Sequence, residues 1–442
     1  MNRTEIFNHI FETFNNRNVN YVIIHSYQCL PDRFDSDIDT AIDVSHINDA
    51  IHLLDDTLSG TDWRVVQYWR HENYAADCVI SNGEEYLQVD FCSNYERNGR
   101  VLMDVKELID NRFLYKNFYV PTPQTEYVYI LLKKLLKKKF SDGSKKQLPD
   151  LWSRMENSQK QATEESLLRF MSEETIRTIT SLIAQNRFEE VDIRAAWDEI
   201  IKATSNPMTN LEYKIFDFKR RICRILHPTG LFVVFLGVDG AGKTTICNQL
   251  EERYKTAFRK IKHYHSRVRL LKDLAEVSQS SEQTDSFNPH GKKKKAGKLL
   301  SAAKFGYYFL DFLLGNLVIT KAKIKSSLVV IERYYYDYII DKVRYNLNLS
   351  DAFLNLFGIF IKKPDLIIIL TGDAEKLCER KHEITVEEIE KQKARLNALF
   401  CENPKAVFID TVENGVDTCV NQILRAGDEI LRNNMMKALG KE

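Results

Sequence analysis

The sequence predicts an α/β protein in three consecutive parts. Residues 1–125 read as an α+β domain, residues 126–228 as a helical connector, and residues 229–442 as a domain with a parallel sheet and helices on both faces. Three observations carry this. Short β-branched runs follow helical stretches in the first 125 residues; apolar residues between 126 and 228 recur almost only at helical spacing; and beyond 229 apolar strands alternate with helical patterns. Alternation of the last kind builds parallel sheets covered on both faces. A chain of 442 residues also exceeds one ordinary core.

In chain order, Ile6, Ile10, Phe11 and Phe14 mark a helix over Glu5–Asn16, and Tyr21–Ile24 marks a strand. Further strands are expected at 38–44, 63–68, 77–80 and 86–92. Pro121 and Pro123 break the pattern. Leucine pairs then alternate with lysines from Tyr127 to Lys139, which predicts an amphipathic helix with a solvated basic face. Helical periodicity continues through Leu167, Phe170, Ile176, Ile179 and Ile183 until the turn cluster His227-Pro-Thr-Gly230. Later strands are expected at 328–331, 366–370 and 406–409. The lysine-rich stretch 291–297 reads as a loop before a long helix.

Composition narrows the class. Hydrophobic residues at 44% and charged residues at 28% describe a globular chain. A net charge of +1 argues against a stable nucleic-acid partner and leaves a homodimer open. The eight cysteines are scattered, and none has metal-ligand spacing to another Cys or His, so they read as reduced, mostly buried thiols. The N-terminus lacks a basic-then-apolar layout, which makes a cytoplasmic location the expectation. Leu299–Ile319 is the most apolar stretch, but Lys304, Asp311 and Asn316 interrupt it. A buried core helix is therefore expected, and no transmembrane segment.

The strongest chemical signal is Gly237-Val238-Asp239-Gly240-Ala241-Gly242-Lys243-Thr244, followed by Thr245, between an apolar strand and a helix. It fits the phosphate-loop pattern G-x-x-x-x-G-K-[ST]. Glycines let backbone N–H groups close around phosphate oxygens at a helix N-terminus. Lys243 would then meet the outer phosphates, and Thr244 would offer a hydroxyl to Mg²⁺, making ATP and Mg²⁺ the expected ligands.

The loop resembles the opening of the thymidylate kinases and their relatives among nucleoside monophosphate kinases. Leu328-Val-Val-Ile-Glu332-Arg333-Tyr334 resembles that family's strand ending in Asp-Arg-Tyr, with an acid one methylene longer. The resemblance implies that Glu332 lies near the metal, that Arg333 holds the acceptor phosphate, and that Arg380 and Lys381 belong to a basic lid. It also gives Arg395 a basic position in the following helix. Asp239 resembles the acid that faces the acceptor's sugar; its alternative role is to brace the loop through backbone N–H groups. The acceptor side departs from the family. His263, His265, Arg267 and Arg269 begin it, and an insertion with Asn288-Pro-His290-Gly-Lys292 follows. That insertion, the Tyr307–Asp311 helix and the Glu332–Tyr338 run are more similar to the wider thymidylate-kinase-like set, some of it associated with bacterial surface-polysaccharide genes.

A second acidic cluster lies in the first part. Asp37 and Asp39 are two apart in a strand, which puts them on one face, and Asp90 lies on a later strand. Such a trio could hold Mg²⁺. The arrangement resembles the nucleotidyltransferase fold, although His25-Ser26 stands where that family has Gly-Ser, and a Cβ there obstructs close approach.

The leading expectation is an ATP-dependent phosphotransferase acting on a nucleotide or sugar-containing acceptor, with a link to surface polysaccharide. One alternative is nucleotidyl transfer at Asp37, Asp39 and Asp90 with the phosphate-loop domain as nucleotide sensor. Another is a non-catalytic ATP-gated interaction module.

Overall fold

The computed structural model describes residues 1–271, 297–380 and 385–440. Lys381, the 288–292 segment and residues 291–296 of the lysine-rich stretch lie outside the described residues. Contacts divide the chain into two units, residues 1–82 with 87–222, and residues 83–86 with 223–442.

The first unit begins with α1 (Arg3–Asn16), capped by Asn2 and Glu5 in a reciprocal capping box. Then come β1 (Tyr21–Ile23), β2 (Ile38–Ile42), α2 (Ile47–Thr57), β3 (Arg64–Glu72), β4 (Ala75–Ser81) and β5 (Tyr86–Cys92). These strands form a sheet in the order β1-β2-β5-β4-β3. The pair β1 and β2 is antiparallel, whereas β2 and β5 run parallel. Two hairpins follow, β6 (Tyr95–Arg97) with β7 (Arg100–Met103), and, after α3 (Val105–Asp110), β8 (Arg112–Tyr115) with β9 (Phe118–Pro121).

Next are α4 (Pro123–Leu136), α5 (Asp142–Arg154), α6 (Asn157–Leu167), α7 (Glu173–Ala184), a 3₁₀ turn at Phe188–Glu190, α8 (Ile193–Ala203) and α9 (Pro207–Leu226). Helices α4 to α8 share one apolar cluster with Val22, Ile24 and Ala41 of the sheet region. The stretch expected as a connector therefore shares its core with the first domain. The amphipathic reading of α4 holds for its last turns, where Leu131, Leu132, Leu135 and Leu136 are buried and Lys133 and Lys134 half-buried, and is corrected before them: every residue from Thr125 to Leu132 is buried. Its apolar residues occupy all helical phases there, so no polar stripe exists until Lys133.

The second unit opens with β10 (Leu231–Gly237) and α10 (Lys243–Arg253), then β11 (Lys260–Tyr264), α11 (Lys298–Ile324), β12 (Ser327–Glu332), α12 (Asp337–Ile340), α13 (Lys342–Tyr345) and α14 (Asp351–Gly358). It closes with β13 (Leu366–Thr371), α15 (Ala374–Arg380), α16 (Val386–Phe400), β14 (Ala406–Asp410) and α17 (Val416–Leu439). The sheet order is β11-β12-β10-β13-β14, and every pair is parallel. On one face Phe232, Val234 and Leu236 of β10 pack with Phe305, Phe312 and Ile319 of α11 and Leu396 and Phe400 of α16. Helices α10 and α17 meet each other and the sheet.

Helix α11 corrects a second expectation, because only one side of it is core. Phe305, Asp311, Phe312 and Ile319 are buried, while Leu299, Leu300, Leu310, Leu314 and Leu317 are exposed. Its charged interruption is accommodated by pairing: Asp311 meets Arg267 at 2.9 Å with both groups buried. By length and composition the helix is long and apolar enough to cross a membrane. The cysteines are free, but only Cys78, Cys247 and Cys419 are buried and Cys401 is exposed, so "mostly buried" does not hold.

Candidate functional site

Strand β10 is central, and the chain passes from it to β11 and β12 on one side before crossing to β13 and β14 on the other. Open parallel sheets bind ligands outside the carboxyl ends of such strands. The loop 237–242 sits at that place. Gly237, Gly240 and Gly242 have φ of 144°, 86° and 78°, in the region that favours glycine. At Gly237 a Cβ would also come within 2.5 Å of the Leu370 carbonyl oxygen. Gly242 caps the N-terminus of α10 in left-handed conformation, with nothing within 4 Å of where its Cβ would be. Backbone free of a side chain at the N-terminus of α10 is what a phosphate cradle requires.

Lys243 is buried and donates to the carbonyls of Gly237 and Val238, both at 2.8 Å. Burial, with Arg333 nearby, pulls its pKa down to about 8. Thr244 donates to Glu332 Oε2 at 3.1 Å, so the two residues expected around Mg²⁺ already touch. Glu332 ends β12 and is buried. Burial opposes its charge, yet hydrogen bonds from His263 and Thr244 hold its pKa below the usual carboxylate value. The donor set, a hydroxyl and a carboxylate beside a phosphate cradle, suits a hard dication.

Asp239 sits among arginines. It is buried and forms ion pairs with Arg333 through one oxygen and Arg344 through the other. Arg333 has φ of 56°, directly after β12, which turns the chain toward the loop. Arg344 comes from α13 and also meets Asp341, at 3.3 Å. Sequence reasoning missed it, and its spacing from the loop carried no local signal. Arg333 and Arg344 border a cavity of about 200 Å³ whose wall includes His265, Arg267, Tyr308, Tyr338 and Tyr345. Asp337 is buried beside it, and burial raises its pKa to about 6 against the opposing pull of Arg333 and Lys243. Two foreseen arginines are held elsewhere. Arg380 donates to the Thr411 carbonyl at 3.1 Å, and Arg395 to the Ile340 carbonyl at 2.7 Å.

The first unit brings its three acids near one another. Asp39 and Asp90 are register partners on β2 and β5, and Asp37 lies just before β2. Asp77, on β4, joins them and was not foreseen. Burial first, then the charges of Asp39 and Asp77, raise Asp37, and burial with Asp77 raises Asp90 well above its ordinary value. Asp39 shifts the other way: burial would raise it, but His25, at 2.8 Å, and Lys133 hold it low. Lys133 Nζ is also 2.7 Å from His25 Nε2. His25 and Lys133 therefore already engage one carboxylate, and the fit to a metal-loaded trio is incomplete.

No family model matches the chain. It is 28% identical to a probable thymidylate kinase of Methanococcus vannielii over 149 residues, 34% of this chain and 64% of that protein. A probable thymidylate kinase of Methanococcus maripaludis is 25% identical over 215 residues, 44% of this chain and 94% of that protein. The chain thus spans just under two thirds of the first relative's length. Solved thymidylate kinases of Candida albicans and Ehrlichia chaffeensis are each 16% identical, with TM-scores of 0.33 and 0.30. They cover 44% of this chain, and 90% and 97% of their own.

Proposed function

We propose that this chain, part of which is a thymidylate-kinase-like domain, is a nucleotide-kinase-type phosphotransferase. It moves the γ-phosphoryl group of ATP to a nucleotide or sugar-containing acceptor. The observation that carries the reading is the convergence of Lys243, Thr244, Glu332, Arg333 and Asp239 at the end of β10. Phosphoryl transfer depends mainly on positioning and charge neutralisation, which these residues offer.

The loop N–H groups and Lys243 hold the donor phosphates. Thr244 and Glu332 would hold Mg²⁺, which supplies positive charge to the phosphates when bound. Arg333 and Arg344 face the acceptor cavity and orient an anionic group there, while Asp239 keeps both in place. The tyrosines of the cavity wall suit a ring, of a base or a sugar. A cytoplasmic location with access to ATP accords with this, and surface-polysaccharide synthesis is a proposed setting.

The test is incubation of the purified protein with γ-labelled ATP, Mg²⁺ and a metabolite extract, followed by identification of the labelled product. Label should enter a small anionic molecule, and Lys243→Ala should reduce transfer by at least a hundredfold. Undiminished transfer in that variant refutes the reading.

A second reading, nucleotidyl transfer in the first unit, draws on the grouping of Asp37, Asp39, Asp77 and Asp90. It requires pyrophosphate release that survives Lys243→Ala and disappears in Asp37→Ala.

A further inference from the structure

Helix α10 does more than present Thr244. Residues three and four apart share a helix face, so Thr244, Cys247 and Glu251 form one stripe. Opposite stands the end of β11 and β12. His263 is in register with Val330, two residues before Glu332, so both side chains leave the sheet on the same face. The result is a cluster of three different donors from three regular elements. Ligand atoms of Cys247, His263 and Glu332 all lie within 4.8 Å of one another. His263 Nε2 is 3.0 Å from Glu332 Oε1, and His263 Nδ1 is 2.8 Å from Glu251 Oε1.

The geometry points to a zinc site formed by Cys247, His263 and Glu332, separate in chemistry from the Mg²⁺ position beside the phosphate loop. Thiolate, imidazole and carboxylate together select a borderline-soft ion such as Zn²⁺ over Mg²⁺, which takes oxygen ligands. Ligand atoms around one tetrahedral zinc stand ~3.3–3.6 Å apart, given bonds of ~2.0–2.3 Å. Small side-chain rotations close the existing cluster to that size. Glu251 occupies the outer place that metal-binding histidines usually give to a carboxylate, where it fixes which ring nitrogen faces the ion. On binding, the Cys247 thiol proton and the His263 Nε2 proton leave to solvent, and a fourth position remains for water.

The site has a consequence for its neighbour. Glu332 is the shared residue, with Oε2 on Thr244 and Oε1 toward His263. Zinc draws this carboxylate off Thr244, so zinc and Mg²⁺ compete for Glu332.

The test uses metal binding by the full chain and does not depend on phosphoryl transfer. Equilibrium dialysis against Zn²⁺ should leave about one ion per chain, and Co²⁺ should give a thiolate-to-cobalt absorption band. Cys247→Ser should remove the band and weaken zinc binding at least tenfold, whereas Cys401→Ser, at an exposed thiol, should leave both unchanged. Should Cys247→Ser fail to fold, His263→Gln tests the same site and should weaken zinc binding by at least tenfold. Absence of retained zinc, or a cobalt–thiolate band that persists in Cys247→Ser, overturns the proposal.

Discussion

Asp239 is the residue on which the candidate site turns, because one carboxylate inside the phosphate loop pairs with two arginines from different segments. Removing one partner exposes what the pair does. Arg344→Ala leaves Asp239 with Arg333 and, at 4.0 Å, Lys243, and takes a cation from the acceptor cavity. Charged hydrogen bonds are worth about 1.5–3 kcal/mol, so acceptor KM is expected to rise about 10- to 100-fold with a smaller change in kcat. Steady-state kinetics with the identified acceptor checks this, and a fall in kcat alone would contradict it.

A second residue-scale prediction concerns Glu126. It is fully buried, accepting from Tyr27 at 2.8 Å and from Gln147 at 2.6 Å. Burial raises its pKa to about 7 despite those bonds. The folded state therefore favours the protonated form. Below the ordinary glutamate pKa there is no cost; as pH rises from there through 7 the unfolded chain ionises first and stability falls, by up to about 3 kcal/mol. Glu126→Gln removes the charge, keeps the acceptor for Tyr27, and can donate its NH2 to Gln147 once that amide turns over. Its unfolding midpoint in urea should exceed that of the parent at pH 8, and the two should converge at pH 4.

At the scale of elements, the second unit depends on a close crossing where α11 ends and β12 begins. Gly230 donates to the Lys323 carbonyl at 3.0 Å. A Cβ on Gly230 would stand 2.5 Å from Lys323 Cα and 2.7 Å from the carbonyl oxygens of Lys323 and Ser327. Backbone cannot yield as a side chain can, so Gly230→Ala should destabilise this unit by about 1–3 kcal/mol, read from denaturant unfolding of the full chain.

Elements with a clear period were legible in the sequence. Strand β5 was expected at 86–92 and is found there, and the strands at 327–332, 366–371 and 406–410 lie within a residue of expectation. Hairpins β6–β7 and β8–β9, helix α2 and strand β11 were not foreseen. The hairpin strands are three or four residues long, too short to show a period. Strand β11, Lys260–Tyr264, reads Lys-Ile-Lys-His-Tyr and lies at the sheet edge, where composition says little about pairing.

For the whole molecule, two units with separate apolar clusters predict unfolding in two calorimetric steps. A non-hydrolysable ATP analogue with Mg²⁺ at about 100 times its Kd should stabilise one of them by about 2.7 kcal/mol. Lys243→Ala should lose that effect and leave the other step unmoved. One unfolding step shifted as a whole by the analogue would contradict it.

The sequence by itself determined the phosphate loop, its strand and helix, and the Glu332-Arg333 strand end. Each is local: glycine spacing and apolar runs act within about ten residues, where chain order and spatial order coincide. Only the tertiary structure decided that Asp239 meets Arg344, that Asp77 joins Asp37, Asp39 and Asp90, and that Cys247 stands beside His263 and Glu332. The Asp239–Arg344 pair arises from a loop meeting a short helix, and the acidic and Cys–His–Glu groupings from strand order and register in a sheet; each brings together residues far apart along the chain. Cysteine spacing along the chain could not show the last of them, since its three donors come from a helix and two neighbouring strands.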